Sequence, residues 1–176
     1  KAEKAIQERL DKYRMASMYV ELGYNFQLQK NQVKAELNYK EAIEKIKENT
    51  SNVYSVAGAF EKKVLLDYAL QSYQLAISID PRNKFNYQMA LLYGQMGKPD
   101  LMIENYLEEM YENPQNSVMV QNQLSRFMNE DADESFNAML RKALLVQVQK
   151  NQDVFWNQML SWFFVQQKEY GKAFIQ

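Results

Sequence analysis

The stretch from Ala69 to Pro81 reads ALQSYQLAISIDP, and it decides the fold class. Its apolar residues recur at spacings of three and four, which is the pattern of an amphipathic α-helix. Ala69 and Ala76 are small enough to let two helix axes approach closely. Tyr73, between them, is large enough to fill the space beside a neighbouring helix. The stretch is therefore predicted to be a helix that packs tightly against its neighbours.

The same pattern recurs along the chain at a nearly constant period. The first shift is 34 residues (60 − 26) and the next is 33 (93 − 60). The first shift relates Phe26, Ala35, Tyr39 and Ala42 to Phe60, Ala69, Tyr73 and Ala76, and the second relates Phe60, Tyr73 and Pro81 to Tyr93, Tyr106 and Pro114. A period of about 20–50 residues is typical of stacked structural repeats.

The composition indicates that the repeats are helical. The chain has only five glycines and three prolines, and it lacks the alternating β-branched runs of strands. Two apolar stripes, at 19–26 and 35–46, are separated by a short polar break, so the two helices must fold back as an antiparallel hairpin. We predict an all-α array of about eleven helices, whose stacked hairpins form a right-handed superhelix.

These residues resemble the tetratricopeptide repeat family, whose unit is a helix pair of about 34 residues. The stretch 69–81 is similar to the family's second helix, and 92–99 (LYGQMGKP) is similar to the turn between its helices. The resemblance implies one α-solenoid over 1–176. Its parts are a second helix of a preceding repeat at 1–15, four repeats at 16–49, 50–82, 83–116 and 117–153, and a truncated repeat at 154–176.

The ends and the fourth repeat carry further expectations. Both ends lie within a repeat, so we expect a piece of a longer array, and we expect a bacterial protein. The fourth repeat departs from the family because Phe136 stands where the family has a small residue. Its second helix is expected to run through about Lys150, with a packing that differs from that of the other repeats.

Several classes of function are disfavoured by the composition. The chain has no cysteine and no histidine, and its 21 basic and 22 acidic residues give a net charge of −1. We therefore expect no enzyme activity, no cofactor and no metal site. Nucleic-acid binding is not expected, because no basic stripe follows one face of the helices. Adjacent carboxylates such as Glu108 and Glu109 are expected to form a solvated face. No apolar run is long enough to span a membrane.

Two short segments resemble ligand loops but are better explained as helix ends. The segment 94–98 (GQMGK) lacks the strand and the upstream glycine of a phosphate loop, and Gly97 is expected to be a left-handed residue that ends a helix. The acidic segment 130–134 (EDADE) lacks the glycine and the distal glutamate of a calcium loop. Asp131 or Asp133 is expected to cap the helix that follows.

The family resemblance also implies a binding surface, because the first helix of each repeat lines the concave face in that family. Aromatic and amide side chains at these places suit an extended peptide or a partner helix. The candidate binding residues are Tyr24, Gln27, Tyr54, Lys84, Tyr87, Gln121, Gln158 and Trp162; Ser17, Val20 and Met128 are aligned with the same face.

The predicted function is a protein–protein interaction scaffold. The alternative is a structural spacer of a larger repeat protein with no ligand of its own, whose aligned residues merely pack against one another. Chaperone-binding members of the family hold a carboxylate with Lys, Asn and Arg. The aligned places here carry Val20, Tyr24, Ser55 and Gln88, so that clamp is absent. With no cysteine and many Asn, Gln and Tyr residues, the chain resembles long exported repeat proteins of gram-negative bacteria. This resemblance implies an exported or periplasmic location, with the cytoplasm as the alternative.

Aromatic residues crowd the last predicted hairpin, and its second helix, from about Tyr170, is short. We expect an exposed apolar patch centred on Trp156, Trp162 or Phe163, through which the chain would self-associate. The alternative is that Trp162 anchors a ligand.

Overall fold

A computed structural model describes residues 2–13, 15–130, 134–151 and 153–175, and these residues form eleven α-helices and no strand. The predicted all-α fold of antiparallel hairpins is confirmed. The chain divides into two compact units, Lys1–Phe85 and Asn86–Gln176. The helices of the first are α1 (Ala2–Tyr13), α2 (Ser17–Leu28), α3 (Gln32–Glu48), α4 (Asn52–Lys62) and α5 (Leu66–Ile79).

In the first unit, α2 packs against α3 and α4 against α5. The hairpins stack because α2 also contacts α4, and α3 contacts α5. Small residues lie at the closest approaches: Ala35, Ala42, Ala69 and Ala76 have no exposed surface. A side chain at Gly23 would meet Tyr39, because the ring atom Cε1 is 2.5 Å from the position of a Cβ. The hairpin therefore closes only around small side chains.

The second unit contains α6 (Asn86–Gln95), α7 (Pro99–Glu112), α8 (Ser117–Glu130), α9 (Ser135–Lys150), α10 (Val154–Gln166) and α11 (Tyr170–Ile175), with a short 3-10 helix at Pro114–Asn116. Here α6 pairs closely with α7, and α10 pairs with α11. By contrast, α8 and α9 contact each other only slightly. Phe136 is buried against Phe127, with ring centroids 5.5 Å apart. We attribute the wider packing of this pair to the bulk of Phe136, as expected from the sequence.

The tight hairpins share one turn geometry. The second residue after the first helix of each of these hairpins adopts a left-handed conformation, with φ of 59° at Lys30, 57° at Val64 and 67° at Gly97. The next backbone N–H donates to the carbonyl five residues earlier, as Lys98 does to Tyr93 at 2.9 Å. The left-handed conformation expected at Gly97 is confirmed. The capping role expected for Asp131 or Asp133 lies outside the described residues.

The two glycines of the first unit provide a test of the hairpin packing. Gly58, inside α4, has no atom within 4 Å of an added Cβ. Gly58→Ala should raise the free energy of unfolding by about 1 kcal/mol, because alanine restricts the unfolded chain and favours helix. Gly23→Ala should lower it by about 1–3 kcal/mol, because the methyl group overlaps the Tyr39 ring. Urea denaturation measures both changes, and equal changes at the two sites would contradict the packing.

Candidate functional site

Three candidate residues lie on two neighbouring helices of the first unit: Tyr24 and Gln27 on α2, and Tyr54 on α4. The ring of Tyr24 is partly buried, and the Lys63 ammonium nitrogen lies 4.9 Å from its centroid. Lys63 also forms an ion pair of 2.9 Å with Glu21 of α2. The cation–π contact and the ion pair together hold Tyr24 against the end of α4.

Tyr54 is the most accessible of the aromatic candidates, with 65% of its surface exposed. Its ring meets the buried ring of Phe85 edge-on, with centroids 5.6 Å apart. Phe85 in turn contacts Tyr73, with centroids 4.9 Å apart. The Tyr54 ring is thus exposed to solvent and also packed against the buried ring of Phe85. A supported ring gives contact area at little cost in side-chain entropy when a partner binds.

In two hairpins, α2–α3 and α4–α5, a tyrosine on the second helix donates a hydrogen bond to the first helix. The Tyr39 hydroxyl donates to Gln27 Oε1 at 2.7 Å, and the Tyr73 hydroxyl donates to Glu61 Oε1 at 2.9 Å. Donor and acceptor are twelve residues apart in both hairpins, since 39 − 27 equals 73 − 61. The bond therefore recurs at the same place in these two hairpins, and in the first it holds Gln27, one of the candidate binding residues.

These tyrosines remain donors over the physiological pH range. Burial, with smaller contributions from Tyr68 and Tyr24, raises the pKa of Tyr39 to about 12. Burial also raises the pKa of Tyr73, and the hydrogen bond to the Glu61 carboxylate raises it further. Both hydroxyls keep their protons well above pH 7, so each continues to donate its hydrogen bond.

The third hairpin, α6–α7, has the corresponding tyrosine but lacks the side chain that accepts its hydrogen bond. Tyr106 corresponds to Tyr73 (106 − 73 = 33) and is fully buried, and burial raises its pKa to about 12. The residue that corresponds to Glu61 is Gly94, which has no side chain (94 − 61 = 33). No described residue accepts a hydrogen bond from the Tyr106 hydroxyl. An unpartnered buried hydroxyl costs about 1–3 kcal/mol, so this position is unfavourable by itself.

The missing side chain is partly replaced by one from the second helix. Where the earlier hairpins have Ala35 and Ala69, this one has Met102 (102 − 69 = 33). The Met102 Sδ atom lies 2.8 Å from the position that a Cβ on Gly94 would occupy. In this hairpin the large side chain therefore belongs to the second helix, α7, and not to the first helix, α6. The exchange retains packing volume but replaces an oxygen acceptor with a thioether, which accepts hydrogen bonds only weakly.

A cavity of about 420 Å³ lies beside Tyr106, between α6, α7 and α8. A second cavity, of about 440 Å³, shares four of its lining residues: Gly94, Met102, Phe127 and Glu130. The first cavity, called the Tyr106 cavity below, is lined by Leu91, Gly94, Gln95, Met102, Tyr106, Gln123, Arg126, Phe127 and Glu130. Its walls combine apolar side chains with hydrogen-bonding groups, as ligand sites do.

The other candidates of the second unit have different surroundings. Tyr87 packs on Tyr106, with centroids 5.9 Å apart, and the Gln121 side-chain nitrogen lies 3.6 Å from the Met159 sulfur. Gln158 is exposed and Trp162 is partly buried.

Several sequence predictions are corrected. Lys84 was expected on the first helix of the third repeat, but it lies in the segment between α5 and α6. Ser17, Val20 and Met128 were aligned with the binding face, but each is buried in the core. Glu109 was expected on a solvated face, but it is buried and accepts hydrogen bonds from the side chains of Asn113, at 3.2 Å, and Asn116, at 2.7 Å.

Two of the three residues proposed as the centre of an aromatic patch are buried, and the third, Trp162, is only partly buried. Trp156 and Phe163 are each only 2% exposed, and Tyr111 stacks on Trp156 with centroids 5.2 Å apart. The most exposed apolar side chains of this hairpin lie on α11, where Phe174 is 93% and Ile175 is 79% exposed. Self-association through this end stays a prediction.

Within the described residues, no three His, Cys, Asp or Glu side chains are grouped so that they could hold a metal ion. Of the helices in the described part of the chain, none is long and apolar enough to cross a bilayer.

Sequence reasoning missed the Tyr106 cavity, although a signal was present. The repeat alignment places Gly94 opposite Gln27 and Glu61 while Tyr106 is retained. A retained donor beside a lost acceptor could have identified the site. What the sequence could not provide is the contribution of α8, which brings Arg126 and Phe127 to the same cavity.

The structure thus defines a helical-hairpin repeat protein. No family model matches the chain, and no curated protein is similar to it. Among solved structures, the crystal structure of MamA is similar: the two chains are 17% identical, with a TM-score of 0.47, and the match covers 86% of this chain and 90% of that one.

The tyrosine hydroxyls provide a test within one molecule. Tyr39→Phe and Tyr73→Phe should each lower the free energy of unfolding by about 1–2 kcal/mol, because each leaves an acceptor without its donor. Tyr106→Phe should leave the free energy unchanged or raise it by up to about 1 kcal/mol, because it removes an unpartnered hydroxyl. Denaturant titration measures all three variants. A loss at Tyr106 as large as at Tyr39 would mean that its hydroxyl has an acceptor in solution.

Proposed function

We propose that this chain is a protein-interaction scaffold of the tetratricopeptide type, and that the first helices of its hairpins bind an extended peptide or a partner helix. The observation that carries the proposal is the pair of aromatic rings on α2 and α4. Tyr24 is held by Lys63 and Tyr54 is supported by Phe85, and both rings keep accessible surface. Rigid, partly exposed aromatic rings are enriched in protein-binding surfaces.

Gln27 supports the same proposal by adding a directed hydrogen-bonding group next to Tyr24. Its oxygen accepts from Tyr39 at 2.7 Å, which fixes the plane of the side-chain amide. An amide held through its oxygen can still donate through its nitrogen, as recognition of a peptide carbonyl requires. The proposed binding mode is therefore aromatic contact with hydrogen bonds to the peptide backbone.

Catalysis and nucleic-acid binding form no part of the proposal. The net charge of −1 provides no general attraction for a polyanion. The second candidate function is that of a structural spacer. The contacts that Tyr87 and Gln121 make within the chain favour it, because a side chain that packs internally needs no partner.

A peptide selection distinguishes the two functions. A displayed library of random peptides should yield sequences that bind the immobilised chain, and their dissociation constants can be measured by calorimetry. Tyr54→Ala and Tyr24→Ala should each weaken binding by about fivefold or more, since truncation of an anchoring aromatic residue costs over about 1 kcal/mol. Leu37→Ala is the matched control, because Leu37 is 61% exposed but lies on the second helix α3. No selected sequence, or equal losses at Tyr54 and Leu37, would favour the spacer.

A further inference from the structure

We propose that the Tyr106 cavity receives the side chain of a glutamate from the partner protein, whose carboxylate accepts the hydrogen bond of the Tyr106 hydroxyl. The partner would supply in trans what Gln27 and Glu61 supply within their own hairpins. The proposal rests on the proposed function, because the glutamate belongs to a bound peptide or helix. Beyond the proposed function, it specifies one residue of the partner, a glutamate, and the cavity that binds it.

The other hairpins define the chemistry of the missing group. Gln27 and Glu61 both end in an sp² oxygen on a stem of two methylenes, and both accept from the repeat tyrosine at 2.7–2.9 Å. Tyr106 has the same place in its hairpin and is fully buried, but its hydroxyl has no acceptor among the described residues. A glutamate side chain has the same stem and the same terminal oxygen.

The cavity has room for this side chain. Its volume of about 420 Å³ falls in the range of small ligand sites, and Gly94 contributes only backbone to its wall. Leu91 and Phe127 are apolar surfaces against which the methylene stem can pack. Tyr106 has no exposed surface, so its hydroxyl is reached only when a neighbouring side chain moves. Met102 lies closest to Gly94, and its flexible, unbranched side chain can move aside as the pocket fills.

One lining residue, Arg126, is a cation that favours a carboxylate over an amide. Arg126 of α8 lines the cavity, and its guanidinium charge acts on the Tyr106 hydroxyl, where it opposes the effect of burial on the pKa. A cation beside the donor stabilises an ionised acceptor. Glu130 also lines the cavity, so the bound carboxylate is expected on the Arg126 side.

The first experiment uses small blocked amino acids and needs no known partner. N-acetylglutamate N-methylamide is titrated into protein labelled at its methionine methyl groups, and the Met102 signal is followed by NMR. The glutamate compound should shift this signal with a dissociation constant in the millimolar range. The glutamine analogue should bind more weakly, and the norleucine analogue should leave the signal unchanged. Equal shifts with all three compounds, or none with any, would overturn the proposal.

Four variants assign the effect to the cavity. Tyr106→Phe removes the donor and should weaken binding of the glutamate compound by about 10- to 100-fold. Gly94→Gln places an acceptor within the hairpin and should abolish the shift. Arg126→Gln should remove the preference for glutamate over glutamine. Tyr170→Phe changes an exposed tyrosine on α11 and should have no effect. Unchanged binding to Tyr106→Phe would contradict the proposed contact.

The same variants, tested with the selected peptides, separate this inference from the proposed function. Peptides that carry a required glutamate and bind Tyr106→Phe and Gly94→Gln poorly would support both. Peptides that bind these variants as well as the parent chain would leave the scaffold intact and overturn the glutamate site. If no peptide is selected but the glutamate compound shifts Met102, the site exists and the peptide-binding scaffold is wrong.

Discussion

The interaction on which the structure depends is the packing of a second-helix tyrosine against the first helix of its own hairpin. Tyr39 can reach α2 only because Gly23 has no side chain and Ala35 keeps the two helices close. Once the ring is in place, its hydroxyl meets Gln27 at 2.7 Å. One contact therefore fixes the helix separation, buries the aromatic ring and orients a side chain of the candidate binding face.

Variation around this contact gives the hairpins different properties. In the second hairpin the acceptor is a carboxylate, Glu61, and the geometry is unchanged. In the third, the exchange of a long first-helix residue for Gly94, with Met102 in place of an alanine, keeps the packing but removes the acceptor. In the fourth, Phe136 separates α8 from α9, and the cavity beside Tyr106 is bounded by α8. The proposed binding site thus lies where two departures from the repeat adjoin each other.

Much of the fold could be predicted because spacing and residue size determine it. The repeated aromatic and alanine positions gave the helix pairs, and Phe136 marked the hairpin that packs differently. The turn conformations were harder to predict. Glycine readily adopts a left-handed conformation, so Gly97 could be identified, but nothing in the sequence indicates that Val64 adopts one. Family alignment placed Val20 on the binding face, yet it is buried, since a helix position does not determine which neighbour covers it. Trp156 could not be predicted to be buried, because Tyr111, which covers it, is 45 residues away (156 − 111).

The central claim is that the Tyr106 hydroxyl lacks an acceptor and can use one supplied to it. The most direct measurement is a mutant cycle of unfolding free energies at Gly94 and Tyr106. Gly94→Gln and Gly94→Leu both crowd Met102, so the difference between them isolates the side-chain amide. We expect the glutamine variant to be more stable than the leucine variant by about 1 kcal/mol, and this difference to disappear when Tyr106 is replaced by phenylalanine. A difference of the same size in the Tyr106→Phe background would contradict it.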